Sequence, residues 1–133
     1  MKNKIYMSWE DFGLALDELV EEIDDNSFVD YDGVFGMPRG GLPVAVALSH
    51  KLNLPLVYNA EDITNNTLVA DDINDTGNTL NEISKCNDIA TIYQAPWSSF
   101  TSNFFVRHKV SKDTWIIFPW EDWETELNTE DSE

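Results

Sequence analysis

The clearest periodicity lies near the N-terminus. Over residues 8–25, Phe12, Ala15, Leu16, Leu19, Val20 and Ile23 recur at three- and four-residue spacing, so they share one helical face. Glu10, Asp17, Glu18, Glu21 and Glu22 fall largely on the other. Ser8 is a good N-cap, and Asp11 stands where the acid of a capping box belongs. The pattern then changes to short apolar runs broken by loops. Residues 33–36 (GVFG), 55–58, 68–71 (LVAD) and 88–94 (DIATIYQ) read as strands, with shorter ones at 104–107 and 115–118. A mostly buried helix is expected over 42–52 (LPVAVALSHKL); Pro43 is tolerated in its first turn, and Asn53 ends it. A further helix is expected over 77–86, and residues 59–66 form a polar connection.

This alternation predicts an α/β fold: a single domain whose mostly parallel, twisted sheet is flanked by helices. Ligands in such sheets bind beyond the carboxyl ends of the strands. Two loops fall there, MPRGG (37–41) and the one that follows Asp71. The domain is expected over 1–123, with an acidic C-terminal tail over 124–133.

Composition narrows the chemistry. With 133 residues, seven Phe, five Trp and four Tyr, the chain can build one core. Eight Lys and Arg stand against 25 Asp and Glu, a formal net charge of −17. Such a surface repels nucleic acid and anionic membranes, so neither is expected as a partner. It also repels phosphorylated small molecules. A site for one must lean on a metal cation, backbone N–H groups and a few placed cations. The single cysteine, Cys86, excludes an intramolecular disulfide and reads as a packing residue. The first residues hold no apolar run long enough for a signal peptide or a membrane span, so a cytoplasmic location is expected.

The stretch TLVADDINDTGNTL (67–80) concentrates the chemistry. A strand delivers Asp71 and Asp72 side by side. Thr76, Gly77 and Thr79 then offer hydroxyls and close backbone approach near a turn of free N–H groups, a seat for a phosphate. The paired carboxylates suit a sugar diol or a hard cation such as magnesium.

This stretch resembles the phosphoribosyl pyrophosphate (PRPP) signature of type I phosphoribosyltransferases. GMPRGGLPVA resembles that family's pyrophosphate loop, whose peptide bond before the Arg is often cis. TIYQAP (91–96) and DTWIIFPWE (113–121) resemble the base-binding end of the xanthine–guanine and hypoxanthine branch. The resemblance spans about residues 33–121. It implies a type I phosphoribosyltransferase fold, here with a reduced hood and a short catalytic loop. It also implies a Mg2+-dependent transfer of ribose 5-phosphate from PRPP to a purine base, 6-oxopurine favoured, with release of pyrophosphate. By the same resemblance Asp71 and Asp72 hold the ribose hydroxyls, with Asp72 ahead of Asp71 as metal ligand. Asp75 partners the purine N7, as hydrogen-bond acceptor or base. Asp75, Thr76, Gly77, Asn78 and Thr79 hold the 5′-phosphate; Pro38, Arg39, Gly40 and Gly41 hold the pyrophosphate. Trp115 stacks on the base, and the Ile116 backbone meets its edge. Expected partners are PRPP with a purine base, or the nucleoside monophosphate product, and a second copy of the chain, with residues 104–106 offering apolar surface.

Two positions depart from the family pattern. The branch carries a Lys directly before the Pro of the 91–96 strand, where this chain has Ala95. A long mobile loop usually precedes the PRPP signature, and here only 59–66 is present. Asn74 also stands where an apolar residue is usual. Lys51, Lys109 and Lys112 read as solvated surface, His50 and His108 as residues without a ligand role, and Trp120 and Trp123 as core. Two other chemistries fit the same acids: a PRPP or nucleotide binder without turnover, and a magnesium-dependent phosphohydrolase.

Overall fold

A computed structural model describes residues 3–121. The expected tail over 124–133 and Trp123 lie outside the described residues. Five strands form one sheet in the order β3-β2-β4-β5-β6, and every pairing in it is parallel. They are β2 (Gly33–Gly36), β3 (Leu56–Val57), β4 (Thr67–Asn74), β5 (Ile89–Gln94) and β6 (Arg107–His108). Their near-continuous apolar runs follow from burial on both faces. On one face Val34, Leu68, Ala70, Ala90 and Ile92 meet the helices α1 (Trp9–Asn26) and α2 (Gly41–Leu52). On the other, Phe35, Val69 and Ile89 are covered by Leu80, with Ile63, Ile83 and Phe100 against them.

The first helix matches its amphipathic pattern. The Ser8 side chain accepts from the Asp11 N–H at 3.0 Å, and the Asp11 carboxylate accepts from the Ser8 N–H at 3.1 Å. Phe12, Ala15, Leu16, Leu19 and Ile23 are buried. The second helix ends on Asn53 in the left-handed conformation, φ +55°.

Several expected elements differ. The helix expected over 77–86 is instead a run of turns with a 3-10 turn at Ile83–Lys85. Only scattered helical bonds form there, from the Asn81 N–H to the Gly77 carbonyl and from the Ser84 N–H to the Leu80 carbonyl. Short polar side chains compete for the backbone: the Ser84 hydroxyl donates to the Asn81 carbonyl at 2.6 Å. The strand expected over 68–71 runs on to Asn74, because β5 keeps pairing with it through Asn74↔Gln94. The strand expected over 104–107 reduces to an isolated bridge at Phe104 and the two residues of β6. A strand not foreseen, β1 (Asn3–Tyr6), pairs in parallel with β7 (Thr114–Ile117). This two-stranded sheet is the reduced hood. Cys86 is exposed rather than packed. Phe104 is buried in the core, which removes it from the surface expected over 104–106.

Candidate active site

Strand β4 outruns its neighbour β2, whose pairing ends at Gly36↔Ala70. The Met37–Gly41 turn fills the vacated side. The Met37 N–H bonds the Ala70 carbonyl at 2.9 Å, and the Gly41 N–H bonds the Met37 carbonyl at 2.8 Å. This turn contains a cis Pro38–Arg39 peptide bond. It lies so close to β4 that a Cβ on Gly41 would stand 2.5 Å from the Ala70 carbonyl oxygen, and one on Gly40 would stand 2.1 Å from Asp72 Oδ2. At Gly41 the approach is to backbone and requires glycine; at Gly40 it is to the Asp72 side chain, which an added Cβ would displace.

Asp71 and Asp72 sit under that turn, partly buried. Each carboxylate folds onto the next backbone N–H, Asp71 Oδ1 accepting from Asp72 and Asp72 Oδ1 from Ile73, both at 2.8 Å. Burial, and then the Asp72 charge beside it, pushes the Asp71 carboxyl up to about 8. Burial also raises Asp72, while a hydrogen bond from a protonated Asp71 works in the opposite sense. Asp71 is thereby biased toward its protonated form, and a hard cation bound at the pair would oppose that bias.

Pro38 and Gly40 join Asp71, Asp72, Asp75, Thr76, Gly77 and Thr79 around one cleft of about 300 Å³. Arg39 and Asn78 are exposed and do not line it. Gly77 has φ +86°, and its α-carbon abuts Ser98 and Ser99: an added Cβ would lie 2.3 Å from Ser99 Oγ. The Ser99 N–H donates to the Thr76 carbonyl at 3.0 Å. The 75–77 turn is thus braced by residues 97–99, which sequence reasoning passed over.

A second cleft of about 310 Å³ adjoins the first. Trp115, Ile116, Phe118, Thr114, Lys109 and Lys112 line it, and it shares Ile73 and Asp75 with its neighbour. Asp75 stands on the boundary. Its Oδ1 accepts from the Trp97 indole N–H at 2.8 Å and its Oδ2 from the Lys109 ammonium at 3.0 Å. Lys109 is therefore not solvated surface; its side chain is 11% exposed, against 53% for Lys51. Both Lys109 and Lys112 lie over the Trp97 ring, 5.6 and 5.7 Å from its centroid. Neither Trp97 nor Lys109 carries a recognisable motif, and only their position in space marks them.

Beneath the boundary, Asn74 is buried and fully bonded. Its amide donates to Gln94 Oε1 and to the Phe100 carbonyl, both at 3.1 Å, and its oxygen accepts from Ser98 Oγ at 2.8 Å. Gln94 spends its own amide on the Ala95 and Phe100 carbonyls and lines neither cleft. Trp120 packs on Trp9, Phe12 and Phe118. His50 and His108 are exposed.

The fold defines an α/β protein with two joined clefts, one lined by acids, hydroxyls and backbone and the other by Trp115 and Phe118, meeting at Ile73 and Asp75. No family model matches the chain. It is 30% identical to a xanthine-guanine phosphoribosyltransferase of Idiomarina loihiensis, over 89% of this chain and 87% of that one. It is 30% identical to the enzyme of the same name from Nitratidesulfovibrio vulgaris, over 68% and 69%. Among solved structures, a purine phosphoribosyltransferase from Pyrococcus horikoshii superposes with a TM-score of 0.75 at 28% identity, covering 91% of this chain and 95% of that one. The chain belongs to the xanthine-guanine phosphoribosyltransferase family and is a transferase.

Proposed function

We propose that the protein transfers the 5-phosphoribosyl group of PRPP to a purine carrying a 6-oxygen, with release of pyrophosphate. The observation that carries this is the pair of clefts meeting at Ile73 and Asp75. One offers acids, hydroxyls and backbone donors to a phosphorylated sugar. The other offers Trp115 and Phe118 to a ring. A bond made between sugar and ring forms at their boundary.

In this reading Thr76, Gly77 and Thr79 hold the 5′-phosphate, with Asn78 completing the turn through its N–H bond to Thr76 Oγ1 at 3.2 Å. The Pro38–Gly41 turn, with Arg39 on its outer side, receives the pyrophosphate. Asp71 and Asp72 accept from the ribose hydroxyls. Two adjacent carboxylates fit Mg2+, which takes one or two carboxylates plus substrate phosphates. Bound there, it neutralises charge on the departing pyrophosphate. The C1′–O bond to pyrophosphate breaks as a ring nitrogen bonds C1′, and the carboxylates stabilise the positive charge that develops at C1′. Asp75 accepts a hydrogen bond or the proton from the ring nitrogen side. Its side chain is 41% exposed, and each carboxylate oxygen keeps a second lone pair beyond those used by Trp97 and Lys109. Ile116 presents its backbone to the ring edge.

In the same reading the enzyme is cytoplasmic. Among the described residues no helix is long and apolar enough to cross a membrane. We further expect a homo-oligomer, which a sedimentation measurement checks. The transfer itself is tested by pyrophosphate release from PRPP and Mg2+ with guanine, xanthine, hypoxanthine, adenine, uracil and orotate. Release with a 6-oxopurine is expected. Binding of PRPP without release on any base would make the chain a nucleotide binder, and the short 59–66 connection the reason.

A further inference from the structure

A lysine drawn out of solvent in so acidic a chain needs an account, and strand register supplies one. Strand β4 pairs Asn74 with Gln94, and β5 pairs Gln94 with His108. The ladder continues one step further: the Ala95 N–H bonds the Asn74 carbonyl at 2.9 Å, and the Lys109 N–H bonds the Gln94 carbonyl at 3.0 Å. Asp75, Ala95 and Lys109 therefore stand in one row across three parallel strands, with their side chains on the same face. Ala95 is buried, and its methyl group leaves the row open. Lys109 passes over it to reach Asp75 Oδ2 at 3.0 Å.

We propose that Lys109 selects the base, donating from its ammonium to an exocyclic oxygen of the ring and so favouring oxo- over amino-substituted purines. The inference rests on reading the Trp115 cleft as the base site. Lys109 lines that cleft. An ammonium carries three donors and no acceptor, and Asp75 takes one of them. A ring carbonyl oxygen in the cleft accepts another. An amino group at the same position presents N–H against N–H, leaving both unpaired, and a site built to bond one group rejects its opposite strongly. Trp97 keeps the arrangement in place, its indole N–H on Asp75 Oδ1 and its ring under the ammonium. The chain thus carries its cation one strand away from Ala95, at the same level of the sheet.

The test is equilibrium binding, which needs no turnover: calorimetry of IMP, AMP and PRPP with the wild-type chain, Lys109→Met and Lys112→Met. Methionine keeps an apolar stem and removes the charge. Wild type is expected to bind IMP at least about tenfold more tightly than AMP. Lys109→Met is expected to lose about ten- to a hundredfold in IMP affinity, with AMP and PRPP within about threefold of wild type. Lys112→Met is expected to keep the preference. The proposal is overturned if Lys109→Met binds PRPP normally and retains the preference, if the preference follows Lys112 instead, or if wild type shows none or binds neither monophosphate. If wild type has the preference, Lys109→Met loses it, and no base yields pyrophosphate, the transfer reading fails while the assignment of Lys109 stands.

Discussion

Gly40→Ala separates the architecture of the Pro38–Gly41 turn from the chemistry beneath it. Gly40 sits at φ −63°, ψ −27°, ordinary right-handed backbone, so alanine is at ease there. The obstacle is a single side chain. The three atoms nearest an added Cβ are Asp72 Oδ2 at 2.1 Å, Cγ at 2.6 Å and Oδ1 at 3.0 Å. The carboxylate must swing away, giving up its bond from the Ile73 N–H, worth about 1.5–3 kcal/mol for a charged acceptor. Two gains offset this. Alanine restricts the unfolded chain by about 0.4–1 kcal/mol, and the displaced carboxylate leaves its partly buried place beside Asp71. Stability should therefore change by no more than about 1–2 kcal/mol. Activity should fall much further. If Asp72 contacts ribose hydroxyls or a cation in the transition state, losing it costs about 2–3 kcal/mol, roughly 30- to 150-fold in kcat/KM for PRPP. The assay is initial-rate pyrophosphate release against PRPP at fixed Mg2+, beside a thermal melt of the same samples. A melt within a few degrees of wild type together with unchanged kcat/KM would refute the placement of Asp72 in the reaction.

Three further outcomes follow from the same geometry. The folded-state pKa of Asp71 lies above the ordinary carboxylate range, so its favourable contribution is complete below about pH 4 and is lost as pH rises toward about 8. Asp71→Asn should flatten that decline and raise the melting temperature of the ligand-free protein at pH 8; a wild-type melt independent of pH over this window would contradict it. Asn74→Ala strands partners on Gln94, Phe100 and Ser98, and urea denaturation should show a loss of about 2–4 kcal/mol. Asp75→Asn should cut kcat far more than it weakens PRPP binding by calorimetry; if both fall together, Asp75 serves only to brace its loop.

Much of this was legible in the sequence because it is local. The Ser8 and Asp11 cap, the spacing of Phe12 to Ile23 and the Asn53 terminus are decided within a few residues. So is the turn over 75–79, where small and polar residues follow the acids. The misses are long-range or competitive. β1 is short and half-exposed, and nothing in NKIY announces a partner at Thr114–Ile117. In the 77–86 segment the Ser84 hydroxyl bonds nearby backbone, an alternative that competes with a regular helix. The extension of β4 through polar Asp71–Asn74 depends on β5 lying alongside. Lys109 looked like any surface lysine, since its closeness to Asp75 exists only once three strands are in register.

The pairing of β1 with β7 bears on how the chain is made. The two strands are separated in sequence by the whole of the central sheet, so β7 emerges from the ribosome after β2–β5. The central sheet has its helix α2 and strands β2–β5 in hand well before then, and contacts this distant in sequence close late because of the loop entropy they must overcome. The hood that carries Trp115 is therefore the final piece to set. A nascent chain therefore has its Asp71–Thr79 cleft before it has the Trp115 cleft beside it.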